Sequence, residues 1–227
     1  MRLSALLLAV LIAAPAAAQT APAALPAPTR VAAVPPAADP QNTWLLDLSD
    51  GGRVTIQLRP DAAPLMVERI KTLTRQRFYD GLVFHRVIDG FMAQGGDPKG
   101  DGSGGSTLPD IKAEFNSLPH VRGSVAAARA DKPDSANSQF YIVFQPRFSL
   151  DQKYTVFGRV IEGMPYVDAI ERGEPPLNPT RILHAYLASD NPPPYQAAAP
   201  APAPAAEPVT LPGTKPKANP LVPSKPK

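Results

Sequence analysis

The apolar positions of this chain change period several times between Thr43 and Leu187, and each change predicts an element. Trp44-Leu45-Leu46-Asp47-Leu48 and Val54-Thr55-Ile56-Gln57-Leu58 flank Asp50-Gly51-Gly52, residues that accept a tight turn, so 43–58 reads as a β-hairpin. The period then lengthens: Met66, Ile70 and Leu73 recur at helical spacing, with Arg69, Lys71 and Arg75 mostly elsewhere. That predicts a helix capped by Asp61, with Pro64 tolerated in its first turn. Alternation returns at Phe84, Arg86, Ile88 and again at Phe91, Ala93, giving two short strands joined at Asp89-Gly90. Ser124–Ala130, Gln139–Phe144 and Thr155–Ile161 are further β-prone runs bounded by turns. A second short helix is expected over 166–171, with Val167 and Ile170 inward, and Arg181–Leu187 supplies a closing strand. The fold class is therefore mainly β, a closed antiparallel eight-stranded barrel capped by two helices.

Two loops interrupt this pattern. Asp97–Leu118 is rich in glycine and polar residues, and Asp131–Asn137 is polar throughout. The first carries no phosphate cradle, since no Gly-Lys-Ser/Thr follows its glycines, and its Asp97, Asp101 and Asp110 lack the spacing of a calcium loop. His85, His120 and His184 are too dispersed for a recognisable metal motif, and no nucleophile elbow occurs. No cofactor is expected.

Composition divides the chain more sharply than periodicity does. Met1-Arg2, the apolar run Leu3–Ala14 and the small residues up to Ala18 form the three parts of a secretory signal peptide, 1–18, and the run is too short to span a bilayer as a stable anchor. Residues 19–42 are alanine and proline, an extended linker. Residues 43–188 form the folding domain, and 189–227 return to proline, alanine and lysine, a composition that favours disorder. Export to the periplasm, as a monomer, is the expectation. The absence of cysteine removes disulfides, thiolate metal sites, a thiol nucleophile and acylated anchors together. The formal net charge of +3 invites a nucleic-acid reading, but 43–188 carries 17 Lys+Arg against 17 Asp+Glu, so the domain has no strong phosphate-seeking field.

The candidate chemistry sits at Arg86. A guanidinium held on a strand beside Phe91 and Met92 is a rigid fork of donors against an apolar surface, an arrangement that invites a polar ligand; an arginine pointing from a barrel surface to solvent is the plainer alternative. The string FHRVIDGFMAQGGD at 84–97 resembles the signature of the cyclophilin-type peptidyl-prolyl cis-trans isomerases. Gly102-Ser103-Gly104-Gly105, Gly123–Arg129, Ser138–Ile142 and Tyr154–Val160 resemble further family segments in the family's order. The resemblance spans 43–187 and implies a cyclophilin-like barrel that accelerates rotation about X-Pro bonds in proline-containing polypeptides. It implies that Arg86 donates to the substrate at the proline and that Gln94 is its polar partner. Phe91, Met92, Tyr141 and Leu150 match the proline pocket, and Ala128, Arg129 and Gln139 the groove beside it, with the Asp97–Leu118 loop at its border. Tyr154 matches a position usually held by histidine in eukaryotic members. Phe84 and Phe140 are assigned to core. Asp89 replaces a frequent proline, Tyr141 replaces phenylalanine, and Ser149 stands where cyclosporin-sensitive members usually carry tryptophan. The alternative of a different class is a catalytically idle module of the same fold that binds proline-containing segments as chaperone or scaffold.

Overall fold

The computed structural model describes residues 39–194; the expected signal peptide, most of the linker and most of the tail lie outside them. Eight strands form one sheet: β1 (Thr43–Leu48), β2 (Arg53–Leu58), β3 (Arg86–Ile88), β4 (Met92–Gly95), β5 (Ser124–Ala127), β6 (Phe140–Val143), β7 (Val156–Glu162) and β8 (Ile182–Leu187). Their spatial order is β3-β4-β6-β5-β7-β2-β1-β8, and every ladder is antiparallel. The sheet curls into a barrel, with two helices, α1 (Pro64–Arg75) and α2 (Met164–Ala169). Full closure by a ladder, which the strand pattern implies, is not what the structure has. The end strands β3 and β8 share no ladder. The segments just before them meet at a single bridge, Val83 with Arg181, reinforced by Phe84 N–H to the Thr180 carbonyl (3.0 Å) and Ile182 N–H to the Leu82 carbonyl (2.8 Å).

Period-two alternation sorts the two faces of this sheet. The inward row Val87, Ala93, Ile142 and Val125 lies register to register across β3, β4, β6 and β5, and joins the main core. Trp44, Tyr79, Phe84 and Phe140 are fully buried there. They meet edge to face, with Trp44 5.0 Å from Phe140 and 5.3 Å from Tyr79 between ring centroids, a preferred aromatic geometry. Met66, Val67, Ile70 and Leu73 of α1 cover one side of this core, and Val167 and Ile170 at α2 lie inward as their spacing predicts.

The expected cap of α1 is corrected. Asp61 does not cap it, because Arg59 takes both oxygens of that carboxylate (2.8 and 2.7 Å), which also holds the Asp61 carboxyl below its usual range. The N-cap is Ala63, whose side chain has nothing to offer. Glu114, arriving from the long loop, instead accepts from the Leu65 and Met66 amides at 2.8 and 2.9 Å. A carboxylate there meets two otherwise unsatisfied donors and the positive end of the helix dipole. Short 3-10 turns at Pro40–Asn42 and Ala188–Asp190 flank the sheet on either side of Thr43 and Leu187.

Candidate active site

The groove grows out of one outward row of the sheet. Arg86 pairs with Gln94, Gln94 with Tyr141, and Tyr141 with Ala126 in consecutive ladders, so these side chains share a face and change from charged to apolar across four strands. At the apolar end of that row, Tyr141 and Ala126 join Met92, Val143, Ala128 and Val156 in a second apolar cluster, separate from the barrel core, with Phe91, Leu150 and Tyr154 packed against it. Ala62 and Leu118 complete this cluster. Beside it lies a cavity of about 340 Å³ lined by Arg86, Phe91, Met92, Gln94, Ala128, Arg129, Tyr141, Leu150 and Tyr154.

Nine of the ten residues that the resemblance assigns to the site therefore converge on one cavity. Gln139, the tenth, lies next door: its side-chain oxygen accepts from Gln94 Nε2 at 2.8 Å, while its own Nε2 donates to the carbonyls of Gly102 and Gly104 at 2.9 and 2.7 Å. Those bonds bring the glycine-rich loop to the groove, as expected. Gly96 makes the approach possible, since its φ is +85° and a Cβ there would lie 2.5 Å from the Ser138 carbonyl oxygen. Ser138 returns the contact with a hydroxyl donated to the Gly96 carbonyl at 2.8 Å.

Arg86 is half-exposed at the open end of the cavity. Its Nε donates to Glu174 at 2.7 Å and an outer nitrogen reaches the Gln94 oxygen at 3.5 Å. Arg129 is held differently. It donates to the carbonyls of Ala130, Asp131 and Lys153 and lies 4.5 Å over the Tyr154 ring, so it forms a fixed wall. Tyr154 in turn meets Tyr141 edge to face at 6.1 Å, and Arg147 covers Phe91 at 5.1 Å. Ser149 is exposed on the 3-10 turn Phe148–Leu150 and does not line the cavity.

Dispersal in sequence concealed one group at the floor. His120, fully buried, accepts nothing at Nδ1: Asp151 can only accept, so Nδ1 carries the proton (2.8 Å) and Nε2 receives the Tyr141 hydroxyl (3.0 Å). The same Asp151 oxygen also takes the His120 amide at 2.8 Å. Burial lowers the His120 pKa against the pull of Asp151, and raises that of the Tyr141 phenol, so a neutral imidazole and an intact hydroxyl lie under the pocket. Tyr141 thus fills the place of a phenylalanine with its extra hydroxyl paired inside the protein, and the ring remains apolar toward the cavity. Only the Tyr141 departure from the family pattern pointed to such a partner.

A family model for cyclophilin type peptidyl-prolyl cis-trans isomerases matches residues 45–187. The chain belongs to this family. A probable peptidyl-prolyl cis-trans isomerase of Brucella suis is 47% identical over 170 residues, covering 68% of this chain and 86% of that protein. Peptidyl-prolyl cis-trans isomerase B of Bacillus subtilis is 42% identical over 129 residues, covering 56% and 89%. Among solved structures, cyclophilin AquaCyp293 from Hirschia baltica superposes with a TM-score of 0.63 at 29% identity, covering 68% of this chain and 77% of its own. A Cryptosporidium parvum cyclophilin type isomerase, crystallised in the presence of the dipeptide Ala-Pro, gives 0.60 at 25% identity, covering 64% and 98%. This cyclophilin is accordingly a peptidyl-prolyl cis-trans isomerase, acting on proline-containing peptides.

Proposed function

We propose that this isomerase works on polypeptides exported to the periplasm, with the ring of the substrate proline seated on Phe91, Met92, Tyr141 and Leu150 and with Arg86 as the group that lowers the barrier. Rotation about an X-Pro bond crosses roughly 20 kcal/mol and takes tens of seconds or longer unaided. Reaching milliseconds asks for about a 10⁴-fold gain, or roughly 5 kcal/mol. No bond needs to break. The resonance that stiffens the amide is lost as the proline nitrogen becomes pyramidal, and a hydrogen bond donated to that nitrogen favours the twisted state over the planar ones. An apolar cavity strengthens the bond by excluding water, and a charged donor nets about 1.5–3 kcal/mol, the right order for one or two such contacts.

The observation that carries this reading is the convergence of the Arg86 guanidinium with Phe91, Met92, Tyr141 and Leu150 on one cavity of about 340 Å³. Ala128 and Gln139 border the neighbouring cleft, which the polypeptide beside the proline would follow. The leader at 1–18 supports export, and fractionated cells should contain a mature chain that begins near Gln19 outside the cytoplasm. Isomerisation is tested by magnetisation-transfer NMR on a short Xaa-Pro peptide, where catalytic amounts of protein should broaden and exchange the cis and trans signals. Binding without exchange would leave an idle module. Sedimentation at micromolar concentration should show a monomer.

A further inference from the structure

The flank of Arg86 away from Gln94 carries a residue with no assigned role. We propose that Glu174 is a positioning residue for the isomerase reaction, holding the Nε side of the Arg86 guanidinium so that its remaining donors face the proline nitrogen. The inference rests on Arg86 being the group that lowers the barrier.

Glu174 reaches Arg86 through the backbone rather than through a chance meeting of two long side chains. β3 ends the sheet, and on its free side Val87 and Gly173 exchange both hydrogen bonds, Val87 N–H to the Gly173 carbonyl at 2.8 Å and Gly173 N–H to the Val87 carbonyl at 2.9 Å. In an antiparallel bridge so made, the next pair outward is residue 86 with residue 174, and their side chains project to the same face. That face is the groove. The register cannot slip easily, because Gly173 has φ +147° and a Cβ there would stand 2.6 Å from the Pro176 Cα and 2.8 Å from the Pro175 carbonyl oxygen. Pro176 is itself buried, which fixes the chain just past the carboxylate.

The resulting contact completes a chain of hydrogen bonds. The carbonyls of Gly102 and Gly104 hold Gln139, Gln139 holds Gln94, Gln94 meets one outer nitrogen of Arg86 at 3.5 Å, and Glu174 takes Nε at 2.7 Å. A guanidinium has five N–H donors in one plane. Two acceptors on different nitrogens fix the rotation of that plane, leaving the other donors aimed at whatever fills the cavity. The longer contact, to Gln94, is too weak to do this alone. Without Glu174 the guanidinium could turn about its last side-chain bonds and meet the proline nitrogen only part of the time.

The pair is 43% and 52% exposed, so it contributes little to stability, and its worth must be read in catalysis. The test compares wild type, Glu174→Gln, Glu174→Asp and, as an exposed acid outside the site, Glu171→Gln, by NMR exchange on an Ala-Pro-containing tetrapeptide. For Glu174→Gln the exchange rate at saturating peptide should fall about tenfold, the scale expected of a misaligned catalytic group. Peptide affinity should stay within about twofold, and the melting temperature within about a degree. Glu174→Asp should recover part of the rate, Glu171→Gln should match wild type, and Glu174→Gln should cost little more once Arg86→Lys is present. An unchanged or faster rate for Glu174→Gln would overturn the proposal, the faster rate meaning that the carboxylate quenches Arg86. An equal loss of affinity and rate with a lower melting temperature would overturn it in favour of a structural role. Absence of exchange with the unaltered protein would instead overturn the isomerase reading, and this inference with it.

Discussion

The same four strands bury apolar side chains on both faces, to opposite ends. Inward, Val87, Ala93, Ile142 and Val125 join a core in which Trp44, Phe84 and Phe140 have no exposed surface. Outward, Met92, Tyr141, Val143 and Ala126 belong to a second apolar cluster, and two of them, Met92 and Tyr141, also line the candidate substrate cavity. The difference lies in what stands opposite each face. The curl of the sheet closes the inner one on itself, whereas the outer one is roofed only by loops. A binding site here is an unfinished second core, and its polar residues sit along the rim where water or substrate can satisfy them.

Substitutions can break that contrast one face at a time. The largest effect should come from Phe140→Ala, which empties the inner core and should cost about 3–5 kcal/mol in urea unfolding while weakening activity only through the unfolded fraction. Arg86→Ala should do the reverse: melting and circular dichroism unchanged, with catalysed exchange down by about 10²-fold or more, as when a transition-state donor is removed. Arg86→Lys should be nearly as impaired, since a point charge does not reproduce the fork. Met92 is buried on the outer face and also lines the cavity, so Met92→Ala should cost about 2 kcal/mol together with weaker peptide binding, seen by titration. Glu114→Ala should lower stability by about 1 kcal/mol through the lost α1 cap, without touching turnover.

The smallest effect is on pH. His120 and His85 are buried and both titrate below the ordinary histidine value because burial disfavours the cation. Below about pH 6.5 the unfolded chain binds protons that the folded chain refuses, so stability should fall as acidity increases through that range and level off above it. Melts that stay flat between about pH 8 and about pH 5.5 would contradict this.

How much could be read in advance follows from whether the partners were local. The strands were legible because alternation is a property of neighbours, and Arg86, Phe91, Met92 and Gln94 because they share one short stretch around a turn. The cap of α1 was misassigned because a nearby acid, Asp61, looked suitable, while Arg59 two residues away had a stronger claim on it and the actual cap, Glu114, comes from a distant loop. His120 shows no role in its own spacing, because its partners Tyr141 and Asp151 are distant in sequence and are brought to it by β6 and the turn after it. Glu174 left no local trace at all, being placed by a backbone bridge to Val87. The pattern also overstated closure, because alternation along strands does not reveal whether the first and last of them pair.

The pairing of β1 with β8, Trp44 opposite Leu187, sets the two ends of the folded region side by side. The linear order of the strands is then nearly arbitrary with respect to the architecture. A chain rejoined by a short peptide between residues 190 and 40, and opened at the exposed Asp50-Gly51 turn, would retain every ladder of the sheet and the whole groove, with new termini on the side of β1 and β2 remote in topology from Arg86. Circular permutation therefore offers a way to graft this isomerase into a host protein by its hairpin, leaving the candidate catalytic face free.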